Sequence, residues 1–310
     1  LDHRQRLANV LAAPRGPALS HRAVRPVPCR RILVRGACRQ ATLLLALLGI
    51  AACRAAGIDE LPVGATQTTL TNPLSVITWN TEKEAGADLR RELVSFLHGR
   101  AADLVFLQEY SEELSGVVAM GGHFARGWRY PWPDGTTIGV ATLSPVRPTA
   151  IRSLPTRYRE FFVTAPKVSL LTTYPLEDGR SLLAVNVHLL TFERWGTLKL
   201  RSQLAELEAA IADHEGPVIV AGDVNTWNER RLEPVAATMR RLGLWEVAMF
   251  DRKRTTADMG PAFLDWLFGV NDDLPLDRVF CRGLSVRSAM VLPSETSDHH
   301  AFVVDFVLPK

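Results

Sequence analysis

The chain has 310 residues, 47% of them hydrophobic, with 36 Lys and Arg against 33 Asp and Glu. That length fits one large domain or two small ones, and the apolar share is ordinary for a globular protein with a sizeable core. The formal net charge of +3 is unevenly spread, because residues 1–53 hold nine Arg, no Lys and a single acid, Asp2, which puts +8 there and −5 on residues 54–310. A mildly acidic body excludes a general electrostatic pull on nucleic acid.

In chain order, Arg30, Arg31, Arg35 and Arg39 precede "ATLLLALLGIAAC", an uncharged apolar run from Ala41 to Cys53. A charged flank and an apolar run of this length read as an export signal. The run is shorter than the roughly 20 residues a membrane-spanning helix takes. Its end, Ile50-Ala51-Ala52-Cys53, resembles a bacterial lipobox, in which cleavage leaves a diacylated Cys. The expectation is an exported protein, membrane-associated through a lipidated Cys53 in a bacterial cell envelope; the alternatives are another export signal or anchor, or a cytoplasmic chain. Residue 1 is Leu and the first Met is Met120, so the expectation is either a fragment or a reading frame extended upstream, in which case a start at Leu33 or Val34 gives a compact leader and residues 1–33, rich in Arg, Pro and Ala, are the extension. The expected organisation is a leader over 1–53, a linker over 54–73 and one domain over 74–310. Of the four Cys, only Cys281 lies well inside the body, which excludes an internal disulfide framework and a CxxC zinc site there.

From Leu74 the pattern changes. "LSVITWN" predicts a strand, and "ADLRRELVSFLHGR" a helix with Leu89, Leu93, Phe96 and Leu97 on one face. "DLVFLQE" and "TIGVATLS" predict two more strands, the latter followed by a Pro-rich segment. "KVSLLTTYPLEDGRSLLAVNVHLL" predicts a hairpin turning at "PLEDGR". "TLKLRSQLAELEAAIADH" predicts an amphipathic helix, "PVIVAGDVN" a core strand and "RRLEPVAATMRRLG" a further helix. "PLDRVFCRGL", "VRSAMVLP" and "HAFVVDFVL" predict the closing strands. Strands and helices mixed without strict alternation point to an α/β sandwich of two packed sheets flanked by helices rather than a Rossmann sheet.

Several of these apolar strands carry polar residues that a plain core would not need. They are Asn80, Gln108 and Glu109, Asn186 and His188, Asp223 and Asn225, Asp277, and Asp298 with His299 before the last strand. Singly, each reads as a cap, a turn residue or a satisfied core side chain. As a series they supply the parts for cleaving a phosphate ester. Carboxylates can hold Mg2+ or Mn2+, a metal stabilises charge on phosphate and leaving oxygen, His moves protons near neutral pH, and a second acid can orient that His.

In order, "WN", "QE", "NVH", "GDVN", "LDRVF" and "SDHH" resemble the endonuclease/exonuclease/phosphatase superfamily, the fold of pancreatic-type deoxyribonucleases, over about Leu74 to Leu308. The stretches "TTYPLEDGRSLLAVNVHL" and "LDRVFCRGL" are closest to a bacterial subgroup of unassigned substrate. The resemblance implies a four-layer α/β sandwich and a phosphodiester-cleaving site using Mg2+ or Mn2+. It makes Glu109 the main metal ligand, with Asn80 its hydrogen-bonded neighbour and Asp298 on the metal side. It places His188 against the phosphate, supported by Asn186. Asp223 would handle the attacking water, Asn225 a phosphate oxygen, and His299, oriented by Asp277, the phosphate. Asp265 in "LDWLF" competes for the role of Asp277, which is preferred because strand, Arg-Gly, strand and Ser-Asp-His follow it. Glu82 occupies a position that carries an acid in some nucleases, and His300 reads as an outward strand residue.

The substrate expected is a phosphodiester, nucleic acid first and a phospholipid second, acted on by a monomer. Alternatives are a sphingomyelinase-like lipid phosphodiesterase, a phosphomonoesterase and an inactive phosphate-binding module. A calcineurin-like phosphatase would need a Gly-Asn-His cluster that the sequence lacks. Arg147, Arg152, Arg157, Arg159 and Lys167 are candidates for lining the cleft, and Phe192 and Trp195 for meeting bases or lipid. The leader generates a first prediction: intact-mass analysis of the mature protein should show an N-terminus processed at Cys53 and carrying acyl chains, and an unprocessed terminus would refute the lipoprotein reading.

Overall fold

The computed structural model describes residues 57–61, 66–82, 86–117, 120–129, 137–158, 167–193, 196–249, 271 and 273–309. The expected leader, including Cys53, and Arg159, Trp195 and Asp265 lie outside the described residues. No described helix is long and apolar enough to cross a membrane.

The described strands are β1 (Ile58–Leu61), β2 (Leu74–Asn80), β3 (Leu104–Ser111), β4 (Gly122–Arg129), β5 (Thr137–Leu143), β6 (Ala150–Pro155), β7 (Val168–Pro175), β8 (Ser181–His188), β9 (Val218–Asp223), β10 (Trp245–Glu246), β11 (Asp277–Arg282), β12 (Ser285–Leu292) and β13 (Ala301–Val307). The α-helices are α1 (Ala87–Leu97), α2 (Leu198–Ile211) and α3 (Glu229–Arg241). One sheet runs β1-β4-β5-β3-β2-β13-β12 and the other β10-β11-β9-β8-β7-β6. Both are mixed: β2 pairs parallel with β3 and β8 parallel with β9, while their other neighbours are antiparallel. This is the expected α/β sandwich.

Strand alternation sorts side chains into an inner face between the sheets and an outer face under the helices. Leu74, Val76, Leu104, Phe106, Ile219 and Ala221 share the inter-sheet core. Their sequence neighbours face outward: Ile77, Val105 and Leu107 pack with Leu89, Leu93 and Phe96 of α1, and Val218 and Val220 pack with Leu204 and Leu207 of α2 and Val235 of α3. Each strand therefore reads as a near-continuous apolar run, as doubly covered strands do.

The inner face turns polar towards one end. Asn186, fully buried, donates from Nδ2 to the carbonyls of Leu107 (3.2 Å) and Ala141 (2.9 Å) in the opposite sheet. It accepts from Gln108 Nε2 at 2.8 Å. Gly222, at φ +136, makes room for that amide, because a Cβ there would meet the Val187 carbonyl at 2.2 Å and Gln108 Nε2 at 2.9 Å.

Residues 54–73, expected to be a linker, instead supply β1, which pairs with β4, and bridges from Gln67 to Val146 and from Leu70 to Leu176, with Leu70 fully buried. β4, β6 and β10 were also absent from the sequence reading. β1, β6 and β10 are sheet-edge strands, held by pairing on one side, so their sequences need no sustained apolar alternation.

Asn186→Ala should lower unfolding free energy by about 2–4 kcal/mol, since it strips partners from two carbonyls and an amide at a buried position. Leu198→Ala, at a site 78% exposed, should change it by no more than about 0.5 kcal/mol. Urea titrations of the two variants check this, and equal effects would show that the inter-sheet amide is dispensable.

Candidate active site

The polar inner-face residues converge where the strands end. Asn80, His188, Asp223 and Asp277 all keep the inner-face parity of their strands, and β8, β9 and β11 place His188, Asp223 and Asp277 side by side in register. Glu109 arrives differently. It has φ +50 and sits at an irregularity between Leu107 and Tyr110, so the usual alternation is broken and Glu109 joins Gln108 on the site side.

Asn80 Nδ2 donates to Asp223 Oδ2 at 3.1 Å, across the two sheets. Asp223 Oδ1 accepts the backbone N–H of Asn225 at 2.9 Å. His188 Nε2 lies 3.4 Å from Asp223 Oδ2 and 3.6 Å from Glu109 Oε1. His299 Nδ1 donates to Asp277 Oδ2 at 2.5 Å, and its Nε2 is 3.7 Å from Asp298 Oδ1. Every one of these groups except Asp298 is at least nine-tenths buried.

The segment before β13 is held from several sides. Glu92 of α1 accepts from Ser294 Oγ at 3.0 Å and from the N–H groups of Glu295 and Thr296. Ser297 Oγ donates to the Asn80 carbonyl at 2.7 Å, and Trp79 Nε1 donates to the His299 carbonyl at 3.0 Å. Glu82 accepts the Asp298 N–H at 3.0 Å. His300 is buried rather than outward: its Nδ1 accepts the Ser294 N–H at 3.0 Å, which closes the same turn.

With this geometry, the comparisons with known proteins are direct. The Endonuclease/Exonuclease/phosphatase family profile matches residues 77–299. The chain belongs to the endonuclease/exonuclease/phosphatase family. A UPF0294 protein of Vibrio vulnificus is 35% identical over 240 residues, 76% of this chain and 78% of that one. Among solved structures, a family protein from Leptotrichia buccalis superposes with TM-score 0.56 at 16% identity, covering 75% of this chain and 99% of that one. Beta toxin from Staphylococcus aureus, solved with bound magnesium ions, superposes with TM-score 0.50 at 13% identity, covering 76% and 100%. These two structural likenesses concern the fold.

Placed on this family member, the expected site residues divide. Asn80, Glu109, His188, Asp223, Asp277, Asp298 and His299 meet in one cluster. Asn186 lies beneath it, between the sheets. Asn225, at φ +51, sits in the turn after β9 and donates from Nδ2 to the Leu189 carbonyl at 3.0 Å, so at least part of its amide holds the turn. Of the basic segment, Arg147 pairs with Glu60 and Arg157 with Glu206, away from the cluster. Lys167 alone among the described members reaches the site, 2.6 Å from His188 Nε2 and 3.4 Å from Glu109 Oε1. An ammonium only donates, so His188 Nε2 is the acceptor in this arrangement. It is the described member of the cleft-lining candidates that contacts Glu109 and His188.

Electrostatics separates the acids and bases. Burial alone would lower the His299 pKa, but the charge and hydrogen bond of Asp277, with Asp223 and Asp298 beyond, raise it to about 10. Burial, then the Asp277 charge, pushes Asp223 up to about 7, with His299 and Lys167 pulling the other way. Asp298 is raised by burial and by Glu82, Glu109 and Asp277, against His299. Among the described residues no group of three or more His, Cys, Asp or Glu is placed to hold a metal ion by itself.

His299 should therefore be an imidazolium through neutral pH. Its stabilising contribution is full below its ordinary pKa of 6.5 and is lost as pH rises through about 10. Asp223, also raised, favours the folded state most when protonated, and that contribution fades between its ordinary 3.8 and about 7. Nitrogen NMR of labelled His should show one ring still charged at pH 8, and Asp277→Asn should bring its midpoint down. A wild type whose rings all titrate near 6.5 would contradict this assignment.

Proposed function

We propose that the chain is a divalent-metal-dependent phosphoesterase that hydrolyses phosphodiester bonds, with nucleic acid as the leading substrate class. The observation that carries the reading is the juxtaposition of a buried Asp277–His299 pair with Asp223, which puts a charged donor beside a carboxylate that binds a proton near neutrality. A carboxylate and an imidazolium side by side, both with pKa values raised from their ordinary ranges, suit opposite proton-transfer roles, the first as acceptor and the second as donor.

The residues fit a metal of the magnesium type. Glu109 and Asp298 are the carboxylates that would hold it, and Asp298 Oδ1 is buried without a hydrogen-bond partner. Mg2+ takes one or two carboxylates and fills its other positions with water and substrate phosphate, so it needs no closed cage. When bound, such an ion neutralises charge on the phosphate and the leaving oxygen. The magnesium in the beta toxin fold relative is consistent with that choice.

The chain's own groups then divide the work. Asp223, held by Asn80 and by the Asn225 backbone N–H, takes the proton of the attacking water as its oxygen bonds to phosphorus. His299, held by Asp277, faces the phosphate and gives its proton to the departing oxygen as the P–O bond breaks. Lys167, placed by its bond to His188 Nε2, donates to a non-bridging phosphate oxygen, and His188 faces the phosphate beside it. Asn225 closes the turn that sets Asp223. Screening the protein with Mg2+ against DNA, RNA, sphingomyelin, inositol phosphates and bis-p-nitrophenyl phosphate tests the activity and ranks the substrates.

Activity should require added divalent metal and be lost to chelation. Glu109→Gln should recover part of its loss at high Mg2+, whereas Asp223→Asn should not. His299→Ala should cost about 10²–10⁴-fold. Adding Asp277→Asn to His299→Ala should do little more, because both act on one imidazole. Losses that simply multiply would remove Asp277 as the orienting partner.

A further inference from the structure

The segment that leaves β8 runs from Leu189 to Thr191, and each of its carbonyls is held by a side chain from the turn after β9 or the first turn of α3. Asn225 Nδ2 donates to Leu189 at 3.0 Å, Arg231 Nη2 to Leu190, and Trp227 Nε1 to Thr191 at 2.9 Å. From the other side, Gln203 of α2 accepts the Leu190 N–H at 3.0 Å. The Leu189 N–H donates to the Asp223 carbonyl at 2.9 Å. The two strand exits that carry His188 and Asp223 are thus laced together just beyond the site.

Arg231 is the centre of that lacing. It stands in the first turn of α3, where its own N–H is fixed by Asn228 Oδ1 at 3.0 Å, and it is only 2% exposed. Its Nε donates to the Asn225 carbonyl at 2.7 Å while Nη2 reaches Leu190, so one planar guanidinium bridges both exits. The guanidinium carbon also lies 5.3 Å from the centroid of the Trp227 ring. A helix N-terminus carries partial positive charge, and a buried cation is costly to desolvate. Plain space-filling would therefore favour an apolar side chain here. An apolar side chain could not hold the carbonyls of two separate loops at a set distance from each other.

The Asn225 carbonyl matters because of what the rest of that residue does. Asn225 has φ +51, and in that left-handed conformation its N–H donates to Asp223 Oδ1 at 2.9 Å. Its N–H, its side-chain amide and its carbonyl are fixed by Asp223, Leu189 and Arg231 respectively. An L residue leaves the left-handed region readily once released, and release would swing the N–H off Asp223 Oδ1. The carboxylate could then turn about Oδ2, the oxygen that Asn80 holds.

We propose that Arg231 is a positioning residue. Through the Asn225 and Leu190 carbonyls it sets the orientation of the Asp223 carboxylate and its 3.4 Å separation from His188 Nε2. The inference rests on the phosphoesterase reading, in which Asp223 takes the proton of the attacking water, and it adds a buried residue that acts on the chemistry from outside the reacting groups.

The test uses the full chain with Mg2+ and the substrate of the panel above that wild type hydrolyses fastest, and compares Arg231→Met, Arg231→Lys and Arg282→Met. Arg282 is the matched control. It too donates to two carbonyls, those of Leu242 (2.6 Å) and His214, but at the opposite end of β11 from Asp277. Arg231→Met should lower kcat about 10²-fold, the scale of an ångström-sized misplacement, with KM nearly unchanged. Arg231→Lys keeps a donor without the fork and should recover part of that loss. Arg282→Met should lower the urea midpoint and leave kcat in place. In an Asp223→Asn background, Arg231→Met should add little further loss, because it acts through that carboxylate. A kcat for Arg231→Met no lower than that of Arg282→Met, or losses that multiply with Asp223→Asn, overturns the positioning role and leaves the phosphoesterase reading intact. Should Arg231→Met fail to fold by circular dichroism, Arg231→Lys decides: a lowered kcat at unchanged KM supports the role, and a wild-type kcat overturns it. No hydrolysis of any panel substrate by wild type overturns the underlying reading and the inference with it.

Discussion

Asn186 joins the two sheets, and the rest of the site depends on that junction. Its amide spends both ends on the opposite sheet, to Leu107, Ala141 and Gln108. Below it, the inner faces are mainly apolar, with Leu74, Val76, Leu104, Phe106, Ile219 and Ala221 packed between the sheets. Above it, the same strand parity delivers Asn80, His188, Asp223 and Asp277. Buried polar groups at that depth must satisfy one another, because an unpaired group in low dielectric is expensive. The Asn80–Asp223 bond and the Asp277–His299 pair both cross between the sheets. Polar satisfaction at this end of the sandwich thus fixes relative sheet position, and relative sheet position fixes the geometry of the site.

That coupling explains why so many supporting contacts lie one layer away from the chemistry. His299 is held by its backbone as well as its ring: Trp79 takes its carbonyl and Ser297 its N–H. Glu92 on α1 gathers the turn before it. The helix therefore does more than cover Trp79 and Leu107. It anchors the one loop that supplies an imidazole to a cluster otherwise built from strand ends.

The sequence showed the centre of this arrangement better than its margins. Central strands such as β3 and β9 are covered on both faces, so their apolar runs are unmistakable, and a Glu or Asp ending such a run stands out. β1, β6 and β10 at the edges owe their conformation to one partner, which local pattern does not record. Within the site, Asp277 and His299 were legible because their motifs lie next to strands. Lys167 was legible only as one of five basic candidates for the cleft, since a single Lys before β7 looks like any solvated strand end. His300, expected to point outward, is buried because its ring closes the turn onto Ser294, a contact no local pattern records. The Glu109 irregularity is similar: no residue pattern announces a positive φ at an acid, and only pairing with β5 on both sides of the break reveals it.

The charge distribution adds a constraint on how a substrate reaches such a site. The body carries −5, and the cluster itself brings together Glu82, Glu109, Asp223, Asp277 and Asp298 against His299 and Lys167. An anionic diester approaching from a distance therefore meets no attractive field, and long-range steering of the kind basic nucleases enjoy is absent here. Capture has to come from contacts made at short range. Burial and the neighbouring acids push the pKa of Asp223 up to about 7 and raise that of Asp298 from its ordinary value, so negative charge is costly in the cluster. Within the cluster, the Lys167 ammonium 3.4 Å from Glu109 Oε1 supplies part of the counter-charge.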